Sequence, residues 1–344
     1  MDENPQPAPQ PLLTAHAFTR ADAIACDVPD VNLPRRGMHN VTRGVWAPVA
    51  PREWRDRALA TALVLPESSA FSHVTAALAH DFSLPRSLAQ RSDLDVVTPT
   101  NRAQRRRPGW IGHRGAELRT MVMVNDLPVT DAIDTWCDLA SLAVGRRRAL
   151  HLDDLIVIGD EVLNEVIRRE LAGSNRSALG HAQRHLDPLV VDPALALIRA
   201  RVTGRFKYRG KSVLLQALPL IRAGVKSPQE TRTRLLFVRC GLPEPLINAN
   251  IHADSPDGPD GGGGGGWLAE GDLVWRESRT VAEYQSEHHA HRDRRSRDSS
   301  RLALLGDHDW EGHEVWSEDL RPGARQFALI QRVTASLARH GRAA

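Results

Sequence analysis

Lysine is almost missing from this chain: of 45 basic side chains only Lys207, Lys211 and Lys226 are lysines, and arginine supplies the rest. The formal net charge is only +3, which excludes a strongly polycationic or polyanionic chain and favours an acidic partner only weakly. Cysteine is scarce too. Cys26, Cys137 and Cys240 form no CxxC pair and no disulfide framework, which argues for a reducing compartment. No apolar run reaches the ~18 residues of a spanning helix, so no membrane partner is expected. The start, MDENPQPAPQPLL, has neither the basic nor the apolar region of a secretory signal. These absences lead to the expectation of a soluble, cytoplasmic protein. P-loop, GxGxxG, GxSxG and zinc-finger spacings are missing as well. The hexaglycine run 261–266 lacks the Lys-Ser/Thr that would follow in a phosphate loop.

What is present divides the 344 residues into several segments. Residues 1–14 read as a loose polar tail, 15–50 as a small helix-plus-strand module, and 51–205 as a helix-rich α+β domain. A connecting helix over 206–224 leads to an α/β unit over 225–344, interrupted by a glycine-rich loop at 254–266. Thr19 is a helix cap before Ala23, Ile24 and Val28, and RGVWAP reads as a strand stopped by Pro48. Helices are predicted over 54–66 and 72–82, the second capped by Ser72. LDVVTP and LRTMVMVN favour strands with an arginine-rich turn between them. Helices are then expected over 129–143, capped by Thr130, over 151–171 and over 209–225. Cys137 and Cys240 lie in apolar surroundings and read as core residues. In the last third, 228–241 reads as a helix, 246–253, 267–275 and 280–285 as strands, 286–306 as a polar helix, 313–317 as a strand and 324–340 as a helix. The resulting order, α-β-β-β-α-β-α, describes a compact α/β layer.

Three carboxylates in that layer attract attention. Glu230 falls in the first turn of its helix, Asp272 inside one predicted strand and Glu283 inside the next. A buried strand carboxylate is costly unless it is paired or binds a metal. Neighbouring carboxylates repel, and a divalent cation such as Mg²⁺ or Mn²⁺ removes the repulsion while leaving room for phosphate oxygens. Plainer readings stand beside this one. Glu230 suits the helix dipole, Asp272 sits next to a turn at Gly271, and Glu283 fits a solvent-facing edge strand. His288, His289 and His291 follow at the head of the polar helix. His288 or His289 could serve as a general base or phosphate ligand, although a solvated helix start explains them equally well.

Basic clusters provide candidate phosphate contacts. Arg102, Arg105, Arg106 and Arg107 form one run, followed by His113 and Arg114. GRFKYRGK holds Lys207 and Arg209 with Phe206 and Tyr208 interleaved, an alternation that can stack on unpaired bases. Arg292 and Arg295 belong to the arginine-rich stretch 292–301, where Asp293 and Asp298 offset part of the charge. Each run alone is also compatible with an ordinary solvated surface.

SPQETRTRLLFVRCGLPEP, GDLVW, VAEYQSEHH and VWSEDL, in that order, resemble the DUF559 family. That family is similar to very short patch repair endonucleases within the restriction-endonuclease-like PD-(D/E)xK superfamily. The resemblance covers about residues 225–340 and implies a metal-dependent DNA endonuclease with Glu230, Asp272 and Glu283 as its acidic site. It departs from the family at the lysine position, where Gln285 stands; glutamine can hold a water but carries no charge. Residues 16–170, through HAFTRADAIACDV, RGVWAP, SHVTAALAH and LPVTDAIDTWCDLA, are similar to AbiEi-antitoxin-like actinobacterial proteins with a winged-helix-like N-terminus. That resemblance implies the alternative of a DNA-binding regulator or antitoxin with a degenerate nuclease fold. A protein partner in a defence system is a third expectation.

Overall fold

Thr19 ends the first short strand, β1 (Phe18–Thr19), and caps the helix Arg20–Ala25. Its backbone N–H donates to Asp22 Oδ2 at 2.7 Å while its hydroxyl accepts from the Asp22 N–H, a reciprocal capping box. The computed structural model describes residues 15–28, 32–101, 107–146, 148–173, 187–205, 208–253, 266–285 and 305–340. The tail 1–14, nearly all of the glycine-rich loop and most of the expected helix 286–306 lie outside those residues.

Along the chain β2 (His39–Thr42) and β3 (Val45–Ala47) follow, giving a three-stranded sheet in the order β1-β3-β2. Phe18, Ala23, Val28, Leu33 and Met38 form its small core. After the helix Trp54–Ala62 come β4 (Ala70–Phe71), the helices His73–Ala79 and Arg86–Ala89, β5 (Leu94–Thr98), β6 (Trp110–Arg114), β7 (Met121–Val124) and β8 (Leu127–Thr130). These five strands make one mixed sheet in the order β6-β5-β4-β8-β7. Phe71, Leu94, Val96, Leu127 and Val129 pack with Ala58, Ala76 and Ala79 from the helices. The helix Ala132–Leu139 follows directly and buries Trp136, whose indole N–H donates to the Leu155 carbonyl at 2.8 Å.

Next come the helices Leu152–Gly173, Pro188–Gly204, Lys211–Ala217 and Pro228–Arg239. The last of these is capped by Ser227 and leads into β9 (Leu246–His252), β10 (Trp267–Trp275), β11 (Thr280–Tyr284), β12 (Glu311–Val315) and the helix Ala324–His340. The four strands form a sheet in the order β12-β11-β10-β9. Its first three strands are an antiparallel meander, whereas β11 and β12 run parallel. One apolar cluster gathers Phe237, Leu273, Trp275, Ala282 and Val315 with Leu329 and Val333 of the last helix. A second gathers Ile251, Leu268, Val274, Val281 and Leu305. Successive residues Leu273, Val274 and Trp275 alternate between the two, as the pleat of a sheet buried on both faces requires.

The chain divides into two units. Unit 1 comprises Met1–Ile158 and Ala196–Pro219, and unit 2 comprises Gly159–Leu195 and Leu220–Ala344. The architecture is mixed α/β, with an N-terminal helix-and-strand region and a C-terminal region of helices followed by a sheet.

Several expectations need correction. The region 51–205 holds more sheet than its apolar runs suggest: β4, β6 and β8 were not anticipated. Residues 127–130 extend as β8, so the next helix begins at Ala132 and is capped by Asp131, not Thr130. The cause is local: the Asp131 carboxylate accepts the Asp134 N–H at 2.8 Å, while the Thr130 hydroxyl is engaged with Thr135. Ser72 holds the N-cap position before His73 but makes no side-chain cap; its hydroxyl contacts the His73 ring instead. The helix expected over 209–225 ends at Ala217 and gives way to a 3-10 turn, Leu218–Leu220, containing Pro219. Pro188–Gly204 is a helix where the sequence reading assigned none. Cys137 is buried as expected, but Cys240 is exposed at the end of its helix.

Candidate functional site

In unit 2 the predicted acidic residues occupy neighbouring elements. Glu230 is buried in the first turn of Pro228–Arg239, and its Oε2 accepts from the Lys226 N–H at 3.0 Å and from Asn248 Nδ2 at 2.7 Å. Asn248 lies on β9 with φ of 45°, between the residues that pair with Gly271 and Leu273 of β10. Asp272 therefore stands beside it. Beyond the pair Leu273↔Ala282, Asp272 and Glu283 are the next residues of β10 and β11. Asp272 Oδ2 accepts the Tyr284 N–H at 2.9 Å, so this side chain takes up a backbone donor at the end of the ladder. Glu283 is buried on β11 and is paired in register with Glu314 of β12. Gln285 follows, its N–H bonded to the Val315 carbonyl at 2.8 Å. Lys226 pairs with Glu270 at 2.6 Å, near the exposed edge of this region. A cleft of about 770 Å³ between β12 and the last helix is lined by other residues, including Glu311, Glu314, Arg325 and Arg332.

Of the proposed phosphate contacts, Arg107 and Arg209 are described. Arg107 stacks on the Trp110 ring at 4.9 Å and donates to the Arg43 carbonyl. Arg209 is exposed and reaches the Val144 carbonyl at 3.4 Å. Tyr208 is half-buried, with the Arg205 guanidinium 5.1 Å from its ring and its hydroxyl donating to the Val202 carbonyl. It is packed into the fold rather than set out as an open stacking platform. His288, His289, Arg102, Arg105, Arg106, Lys207, Arg292 and Arg295 lie outside the described residues.

A different cluster stands out in unit 1. The ligand atoms of His73, Asp95 and His113 all lie within 4.8 Å of one another, a spacing compatible with metal coordination. Among the described residues the three unit 2 carboxylates do not gather so closely. Local folding accounts for the cluster. β5 and β6 are parallel neighbours whose register pairs Asp95 with Ile111 and Val97 with His113, so Asp95 and His113 lie diagonally across the two strands; His113 Nε2 is hydrogen-bonded to Asp95 Oδ1 at 2.8 Å. Asp95 also pairs with Arg91, and its N–H donates to the Thr75 hydroxyl at 2.8 Å. His73 opens its helix with φ of 47°, a left-handed conformation that is strained for a non-glycine residue. Its Nδ1 lies 3.0 Å from the Ser72 hydroxyl, and its ring stacks on His113 with centroids 3.6 Å apart and planes 14° from parallel.

Beside the histidines runs a ladder of buried charge. Asp131, Asp134 and Asp138 recur on one face of the helix Ala132–Leu139 and its cap. Arg119 grips both oxygens of Asp138, each at 2.8 Å, and Arg205 adds a contact at 2.9 Å. Arg201 bridges Asp131 and Asp134. Burial lowers the His73 pKa to about 4, against the opposing pull of Asp138, so the ring is neutral at physiological pH. Its 3.8 Å contact with Asp138 is then not an ion pair. Burial pushes the Asp138 carboxyl up, but the Arg119 and Arg205 guanidinium groups bonded to it hold the pKa below the usual carboxylate range.

The sequence reading overlooked this cluster. Its signals were a histidine beside an apolar helix, an aspartate inside the β5 strand and a histidine filed with a basic run. The test applied to Asp272, that a strand-interior acid needs a partner, applies equally to Asp95. Compared with protein-family models, with curated proteins and with solved structures, the chain has no match.

Proposed function

We propose that the protein is a metal-dependent DNA endonuclease, of the DUF559-like kind that its last third resembles, acting through unit 2. The observation that carries this reading is the row of acids across adjacent elements: Glu230 bound to Asn248, Asp272 next to Asn248, and Glu283 one strand further. Carboxylate oxygens are the donors that Mg²⁺ or Mn²⁺ prefers. Such an ion, when bound, polarises a phosphodiester and lowers the pKa of water. Asp272 and Glu283 would hold it, Glu230 would assist directly or through water, Gln285 would orient a water, and His288 or His289 would handle a proton or a phosphate. Arg292 and Arg295, in the same unit by sequence, would supply phosphate contacts. The free thiols Cys26, Cys137 and Cys240 fit work in a reducing compartment.

Purified protein should nick or cut supercoiled plasmid in Mg²⁺ or Mn²⁺. The Asp272→Ala and Glu283→Ala proteins should lose about two orders of magnitude in rate. Cleavage that persists unchanged in both variants removes the mechanism.

Two observations favour a second reading. The Asp272 carboxylate caps a backbone N–H, and glutamine replaces the expected lysine at Gln285. Both suit a nuclease fold retained as a scaffold in a DNA-binding, antitoxin-like regulator. That protein would retain plasmid without cutting it. Stable co-purification with a protein, together with no affinity for DNA, would instead point to a partner in a defence system.

A further inference from the structure

We propose that unit 1 carries a metal site of its own, in which His73, Asp95 and His113 hold a borderline transition ion such as Zn²⁺. The site is separate from the unit 2 carboxylates and does not depend on the nuclease reading. Donors that share one tetrahedral ion at bond lengths of about 2.0–2.2 Å stand roughly 3.3 Å apart. The three ligand atoms already lie within 4.8 Å of one another, so side-chain rotations alone can complete the approach. Two imidazoles and a carboxylate are a donor set for Zn²⁺, Co²⁺ or Ni²⁺, whereas Mg²⁺ selects oxygen.

The surroundings orient the donors. Ser72 Oγ is 3.0 Å from His73 Nδ1, which leaves Nε2 of that ring for a ligand. Asp95 is fixed at its backbone by Thr75, and the Thr98 hydroxyl donates to the His113 carbonyl at 3.3 Å. The left-handed backbone at His73 is a second, independent sign, because such strain persists where the surrounding structure imposes it and is concentrated at functional sites. The two rings stack and His113 bonds Asp95. Parallel rings direct their in-plane lone pairs side by side rather than at one point. Binding therefore unstacks the pair: one imidazole turns, and the ion takes the place of the His113–Asp95 hydrogen bond.

Titration of the full-length protein with Co²⁺ at neutral pH tests this. Wild type should develop visible d–d bands of tetrahedral intensity at one ion per chain, and Zn²⁺ should bleach them while a large excess of Mg²⁺ should not. Asp95→Asn and His113→Gln should each weaken Co²⁺ binding by about 10-fold or more. His288→Ala/His289→Ala/His291→Ala, which removes three histidines belonging to the other unit, should leave the bands intact. Histidine ¹⁵N NMR of the wild type supplies a readout that needs no substitution, with two ring signals shifting on Zn²⁺ addition. No band in wild type, bands unaffected by Asp95→Asn and His113→Gln, or loss of the bands in the triple variant would each overturn the proposal.

Discussion

Asp160 shows how one buried side chain sets a pH response. It is fully buried in unit 2, where its Oδ1 accepts the Arg222 N–H at 2.6 Å and its Oδ2 accepts the Thr231 hydroxyl at 2.7 Å. Burial pushes its pKa up to about 7, against the pull of Arg234, whose guanidinium is 3.7 Å away. An unfolded aspartate titrates near about 3.9. Between these values the folded chain keeps a proton that the unfolded chain has released, so the contribution of Asp160 is greatest at low pH and is lost as pH rises toward 7. Asp160→Asn should remove that slope while Glu244 continues to pair with Arg234 at 2.8 Å. Urea unfolding at a series of pH values measures it: the stability difference between wild type and variant should shrink from pH 4 to pH 7. A constant difference would mean that Asp160 is ionised throughout. Nothing in the apolar helix LDDLIVIGDEVL marks Asp160 as different from Asp153 or Asp154; only packing against Thr231 and Arg234 does.

At the scale of the element, turns decided more than periodicity. MVMVNDLPVT folds as a hairpin of β7 and β8 about Asn125 and Asp126, which have φ of 50° and 67°. Two left-handed residues are the signature of a tight primed turn, and Asn-Asp is chemistry that permits it. The signal was in the sequence; the apolar run beyond Val129 hid it by merging with the next helix. Gly210 is a second such position. Its φ is 89°, and a Cβ there would meet the Ala140 carbonyl oxygen at 2.0 Å. The start of Lys211–Ala217 thus lies against the turn Ala140–Ala143, an approach that only glycine permits. Gly210→Ala should cost about 3 kcal/mol or more, from overpacking together with the left-handed penalty. Thermal unfolding would register it, and a melting temperature within a degree of wild type would contradict the contact.

For the whole molecule, charge and connectivity matter most. With a net charge of only +3, any DNA affinity would have to come from local arginine clusters rather than a general positive field. If phosphates are the main contacts, log affinity should fall linearly with log salt, at roughly 0.9 per phosphate neutralised on duplex DNA. Filter binding between 50 and 200 mM salt, on the order used for such slopes, reads this directly. A salt-insensitive affinity would rule out both the nuclease rim and the regulator. No helix among the described residues is long and apolar enough to cross a membrane. The division into units was not visible in composition, because residues 159–195 group with the C-terminal sheet while 196–219 group with the N-terminal part. Long helices straddle two of the three boundaries, and helical periodicity is silent about which neighbours a helix packs against.

The strongly signalled local elements were legible in the chain alone: the Thr19 cap, the helix that starts at Pro228, the strand 267–275 and the last helix 324–340. These depend on near neighbours in the chain, which a single sequence contains. Tertiary structure alone decided that His73, Asp95 and His113 meet, because they come from a helix start and two parallel strands across forty residues. It likewise decided that the Asn248 amide donates to Glu230, eighteen residues away in the chain. Such meetings are set by strand order and register, which follow from the burial of all the apolar faces at once.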